Sequence, residues 1–195
     1  MKYRAITSEN FYFIEMKKAC KFLLKNKDIE NIREEFWERD ILDVTSPSNF
    51  QKKYSTISRR LKTLSENLRG QLIENDSQTG KVINLYSILC SERIVLEFMD
   101  EVIKEKYETF EYYIYQKDFN IFMNSKVEQS DIIANWTEIT RKKIIVKLKN
   151  FLLESGYLVK IEENQYKISR PIILPEIIEE MKKGENKQLV KAMLY

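Results

Sequence analysis

The sequence predicts a mainly α fold: a helical bundle with a helix-turn-helix-like N-terminal region and a C-terminal winged helix-turn-helix that ends in a small β-hairpin. Three observations carry this reading. Gly occurs only 4 times and Pro 3 times in 195 residues, so few positions interrupt a helix. Apolar residues recur at steps of three and four along most of the chain. Near the C-terminus that period gives way to alternation over "YLVKIEE" and "QYKIS", the two-residue period of short strands. A chain of this length buries roughly 70% of its unfolded surface. With 43% apolar and 32% charged residues it reads as globular rather than disordered.

The elements follow in order. Thr7 or Ser8 can cap a first helix over Glu9 to Lys25, with Phe11, Ile14, Cys20, Leu23 and Leu24 as its apolar contacts. Asp28 is placed to cap a second helix, "IENIREEFWERD", with Ile29, Ile32, Phe36 and Trp37 turned inward. A third helix follows "ILDVT", and Phe50, Tyr54, Ile57, Leu61, Leu64 and Leu68 form its apolar stripe. Ser48 with Gln51 has capping-box spacing, and Ser46-Pro47 offers an alternative start with proline in the first turn. Gly70 is expected to loosen or end this helix, closing an N-terminal domain over residues 1–70.

Residues 71–127 read as a helical scaffold. Val82, Leu85, Leu89, Leu96, Met99, Val102 and Ile103 give a long apolar period, with a kink or break expected at Ser91-Glu92. The aromatic run Tyr107, Phe110, Tyr112, Tyr113, Tyr115, Phe119 and Phe122 lies in an acidic stretch, which favours packing over base stacking. Residues 128–195 form the winged-helix-like domain. Asp131 to Trp136 makes a short helix, a turn at Thr137 follows, and Glu138 to Ser155 is a longer helix with Ile144, Ile145, Leu148, Phe151 and Leu152 inside. Gly156 stands where a helix end favours a left-handed residue, and Glu163-Asn164 lie near the hairpin turn.

Charge comes in blocks. From Asp28 to Asp43 seven acids face two arginines, and from Glu92 to Asp131 ten acids face five bases. From Ser46 to Gly70, and again from Ile139 to Lys160, six bases face one acid. Both basic blocks fall on predicted helices, each the second of a helix-turn-helix-like pair. Ser46, Ser48, Lys52, Lys53, Thr56, Arg59, Arg60 and Lys62 are the candidate nucleic-acid contacts on the first of them. Thr140, Arg141, Lys142, Lys143 and Lys147 are those on the second. Lys and Arg there neutralise phosphates, while Thr hydroxyls and helix N-terminal N–H groups bond phosphate oxygens or base edges. A basic helix surface can also be plain solvated surface, but exposed pairing with the acidic blocks, worth ~0–1 kcal/mol, does not account for the blocking.

Other function classes find little support. The chain has no histidine, no CxxC pair, no glycine-rich phosphate loop and no GxSxG elbow, so no catalytic residue, metal ligand set or cofactor is expected. Cys20 and Cys90 lie in apolar helical stretches and read as small buried hydrophobes in a reducing compartment. The polar opening "MKYRAITSEN" and the absence of a run near ~20 apolar residues predict a cytoplasmic protein without a membrane partner.

In order along the chain, "ITSENFYFIE", "DVTSPSNFQKKYSTISRRLKTL", "NLYSILCSERIVLEFMDEVIKEK", "KDFNIFM" and "WTEITRKKIIVKLKNFLLESGYL" resemble the BrxA family of BREX bacteriophage-exclusion systems. Asp40-Ile41 and Arg93-Ile94 depart from that pattern, which favours Asn-Leu and Arg-Leu there. The resemblance implies a non-catalytic accessory of a defence system that also methylates host DNA. It implies duplex DNA as a partner, with other BREX components beside it. The family has also been likened to the RNA-binding antitermination factor NusB, which makes RNA the alternative ligand. A protein-interaction scaffold, with the basic helices meeting acidic partners, is the rival reading of the same residues.

Overall fold

A computed structural model describes residues 1–25, 32–184 and 187–194; the expected cap Asp28 and the expected inward residue Ile29 lie outside them. The chain is mainly helical, with one small antiparallel sheet. The first helix, α1, spans Phe13–Lys25 and starts four residues later than expected. Residues 9–12 are diverted instead: Tyr12 has a positive φ of 54°, and the Phe11 carbonyl is bonded by side chains from elsewhere. After α2 (Ile32–Glu38), Phe36 meets Phe22 and Tyr54 edge-on, and half-exposed Trp37 meets Phe50.

The basic helix α3 runs from Pro47 to Leu61. Ser46, not Ser48, is its cap, since Pro47 lacks the N–H that would otherwise be orphaned. The expected ending at Gly70 is corrected. The chain turns at Lys62–Leu64, and Ser65 caps a separate helix, α4 (Glu66–Glu74), that runs through Gly70. Burial of Leu68 and Leu72 outweighs the helix penalty of one glycine. Asp76 then caps α5 (Ser77–Ser91), whose residues from Val82 to Leu89 are all buried. The break expected at Ser91-Glu92 is present, and α6 (Arg93–Phe98) leads into a π-helical stretch at Met99–Lys104 and a short α7 at Glu105–Glu108.

The sheet contains a strand that local pattern did not reveal. β1 (Tyr113–Tyr115) precedes α8 (Gln116–Gln129), α9 (Asp131–Ala134) and α10 (Glu138–Ser155). The expected hairpin follows as β2 (Leu158–Glu162) and β3 (Gln165–Ile168), and β1 pairs with β3 in the order β1-β3-β2. Gly156 ends α10 with φ 83°, and Asn164 turns the hairpin with φ 60°. Two helices close the chain, α11 (Pro175–Lys182) and α12 (Lys187–Leu194).

The packing core draws on every part of the chain, from Ile6 to Met193. Phe119 stacks on Phe98, Phe122 meets Phe98 edge-on, and both are buried, whereas Phe110 is 79% exposed. Lys126 is buried beside them, with Nζ 3.0 Å from Glu97 and 2.6 Å from Glu101. No helix among the described residues is long and apolar enough to cross a membrane.

Candidate nucleic-acid interface

The two basic helices have different fates. On α3, Ser46 and Ser48 sit at the surface with their hydroxyls 3.2 Å apart, and Lys52 and Lys62 are exposed. The remaining candidates on α3 are drawn inward. Thr56 is 6% exposed and its hydroxyl donates to the Lys52 carbonyl. Lys53 donates to Glu15 and to the Leu42 carbonyl, both at 2.8 Å. Arg59 bridges Glu9 at 2.7 Å and Glu92 at 2.6 Å. Arg60 is 0% exposed, which corrects its assignment as a nucleic-acid contact. Its Nη1 donates to the carbonyls of Asn10 and Phe11, its Nη2 reaches Glu9, and its plane lies over the Tyr12 and Phe151 rings.

The helical wheel holds the signal for two of these. At 100° per residue, Lys53 and Arg60 fall within roughly 60° of Ile57, at the border of the apolar stripe. Arg59 lies on the opposite side. It is consumed because the N-terminal segment lays Glu9 there, beside Glu92 at the start of α6.

This inner network is electrostatically tense. Burial, and then the neighbouring Glu9 carboxylate, raise the Glu92 pKa against the pull of Arg59 and Arg4. Burial pulls the Arg60 guanidinium down to about 10, against the attraction of Glu9 and Glu92. Asn84 of α5 donates to the Phe11 carbonyl at 2.8 Å, and Lys147 of α10 donates to Asn10 Oδ1 at 2.6 Å. The N-terminal segment therefore ties α3, α5 and α10 together. Burying polar groups this deep is costly unless they are bonded, and losing one partner costs more than the bond's net contribution.

On α10 the Thr137 hydroxyl accepts from Thr140 N at 3.1 Å, and the two hydroxyls lie 3.0 Å apart. Arg141 falls on the inward side of the wheel, in line with Ile144, Ile145 and Leu148, and is half-buried. Lys147 and Lys149 also leave the outer face. Burial lowers the pKa of both, and Lys149 donates to Gln116 beside the Phe119 and Tyr166 rings. The outer stripe is Ile139, Lys142, Lys143, Val146 and Asn150. Lys142 makes a 2.6 Å pair with Glu138, both about three-quarters exposed, and such a surface pair yields readily to a competing phosphate. Sequence reasoning missed Ile139 and Val146. Their signal was that Ile139 and Val146 fall off the apolar period that Ile144, Leu148 and Leu152 define.

Among the described residues no group of three or more His, Cys, Asp or Glu is arranged to hold a metal ion. Fold and site together define a mainly helical protein that presents a basic, partly aliphatic helix next to a β-hairpin. A family model for BrxA matches residues 1–184. The "BREX protein BrxA" of Bacillus cereus (strain H3081.97) is 33% identical over 177 residues, 91% of this chain and 88% of that protein. The "BREX protein BrxA" of Escherichia coli O9:H4 (strain HS) is 23% identical over 74% of this chain and 68% of its own length. An uncharacterized protein from Magnetospirillum magneticum, known from its crystal structure, shares the fold with a TM-score of 0.76 at 18% identity, over 99% of this chain and 98% of the other. The chain belongs to the BrxA family of BREX phage-defence systems.

Proposed function

We propose that this chain is a non-catalytic, cytoplasmic DNA-binding component of its BREX system. It contacts duplex DNA mainly at phosphates, through the outer face of α10, and other BREX components are its protein partners. The observation that supports this reading is the division of labour between the two basic helices. Arg59, Arg60 and Lys53 serve internal contacts, whereas Lys142 and Lys143 stand on an exposed face. The order β1-α8-α9-α10-β2-β3, with β1 paired to β3, is compatible with a winged helix that uses α10 for recognition. Lys52 and Lys62 supply a second, weaker set of phosphate contacts.

Fluorescence anisotropy with labelled duplex DNA, single-stranded DNA and RNA, titrated across ~50–200 mM salt, tests the proposal. Duplex binding with a log–log slope near −0.9 per neutralised phosphate is the expected result. Lys142→Glu with Lys143→Glu should remove about two units of slope and most of the affinity. Lys52→Glu with Lys62→Glu should act more mildly. Unchanged affinity in a folded Lys142→Glu, Lys143→Glu protein, or a clear preference for RNA, would overturn the assignment.

A specific observation favours protein docking as the second reading. Glu101, Glu105, Glu111 and Asp118 line a cleft of about 570 Å³ together with Val102, Ile121 and Phe122. Capture of a BREX component that survives nuclease treatment, and is lost on charge reversal in this cleft, would support it.

A further inference from the structure

The outer stripe of α10 is not uniformly polar. Ile139 is 67% exposed and Val146 49% exposed, and they flank Lys143 on the same face as Lys142 and Asn150. Together they set apolar surface on both sides of Lys143, within reach of whatever the lysines bind. Major-groove recognition has a use for such surface, because thymine alone among the bases presents a methyl group there. We propose that Ile139 and Val146 are specificity-determining residues that read thymine methyls, so that the protein prefers A·T-rich duplex through the major groove. The proposal rests on the duplex-binding reading of α10 and adds sequence preference to it.

The dimensions fit. Seven helical residues separate the two side chains by about 10 Å along the axis. That matches roughly three base-pair steps of ~3.4 Å. Ile139 stands in the first turn of α10, the part of a recognition helix that approaches base edges. Asn150, one turn beyond Val146 on the same face, brings an amide of the kind that pairs with adenine N6 and N7. The flanking lysines fix the helix against phosphates, and the aliphatic pair converts that position into a preference.

The test compares the intact protein on four 24-bp duplexes at one salt concentration: alternating dA-dT, the same sequence with deoxyuridine for thymidine, alternating dG-dC, and dG-dC with 5-methylcytosine. Burying one methyl corresponds to about fourfold in affinity. The thymine duplex should therefore bind about four- to sixteenfold tighter than the uracil duplex, for one or both methyls read, and 5-methylcytosine should improve dG-dC binding by a similar factor. Ile139→Ala with Val146→Ala should bring the thymine-to-uracil ratio to one while leaving the salt slope unchanged. Equal binding of thymine and uracil duplexes by the wild-type protein, with a steep salt slope, would discard methyl reading and keep duplex binding. A double variant that retains the full thymine preference would discard these two residues as its source. No duplex binding at all would remove both readings.

Discussion

Arg60 and Asn84, on different helices, donate to one acceptor: the Phe11 carbonyl lies 3.0 Å from Arg60 Nη1 and 2.8 Å from Asn84 Nδ2. That shared oxygen fixes where the N-terminal segment lies and explains why a helix start predicted at Glu9 is delayed to Phe13.

Arg60→Met should be among the more damaging single substitutions in the chain. It leaves Glu9 and Glu92 buried with less compensation and removes a donor from the Asn10 carbonyl, while Asn84 still serves the Phe11 carbonyl. Removing one partner of such a network costs about 3–5 kcal/mol. Arg60→Lys should recover only part of this, since an ammonium cannot match the guanidinium fork. Urea midpoints of the variants check the order. Affinity for duplex DNA per folded molecule should be unchanged, which separates the structural arginine from the exposed lysines.

Lys126→Met should be milder than Arg60→Met, although Lys126 is as deeply buried. Glu97 would retain the Tyr3 hydroxyl at 2.7 Å and Arg93 at 2.6 Å, and Glu101 is half-exposed. Burial acts to raise the Glu97 pKa, but the bonds from Tyr3, Arg93 and Lys126 overcome it and lower it. A loss about half that of Arg60→Met is expected in the same denaturation experiment.

Two glycines should respond in opposite directions to alanine. Gly70 lies inside α4 with open space where a Cβ would stand, so Gly70→Ala should stabilise by about 0.5–1 kcal/mol. Gly156 has φ +83°, and its Cβ would lie 2.7 Å from the Gln78 amide that donates to the Ser155 carbonyl. Gly156→Ala should cost about 1–2 kcal/mol from backbone strain alone. Thermal melts of the two variants against the wild type give both signs.

The thiols carry a pH signature. Burial pushes Cys20 from 9.0 to about 12 and Cys90 from 9.0 to about 11. The folded state thus keeps protons that the unfolded state releases above 9. The contribution is fully present below pH 9 and is lost as pH rises toward 11–12. Native protein should resist thiol reagents at pH 8 and react fully in denaturant. Its stability should fall between pH 9 and 11 more steeply than that of a Cys20→Ala, Cys90→Ala protein.

Legibility in the sequence tracks how local the cause is. The turn at Thr137, the stop at Gly156 and the hairpin turn at Asn164 are set by a few neighbouring residues, and the sequence shows them. β1 exists because Tyr113–Tyr115 pairs with Gln165–Lys167 some fifty residues later, and no local period marks it. Glycine is a weak helix former, so Gly70 looks locally like a breaker, but burial of Leu68 and Leu72 decides that stretch. The basic face of α3 was visible as composition. Its diversion into ion pairs was not, because Glu9 and Glu92 come from distant parts of the chain.

The Asn10–Phe11 segment is held by Arg60, Asn84 and Lys147. On the ribosome these two residues emerge well before their partners, the last of which, Lys147, is made 137 residues after Asn10. At ~5–20 residues per second, that leaves them unanchored for roughly 7–27 s of synthesis. Vectorial folding therefore cannot fix this segment as it is made: it is a latch that closes once α10 has arrived.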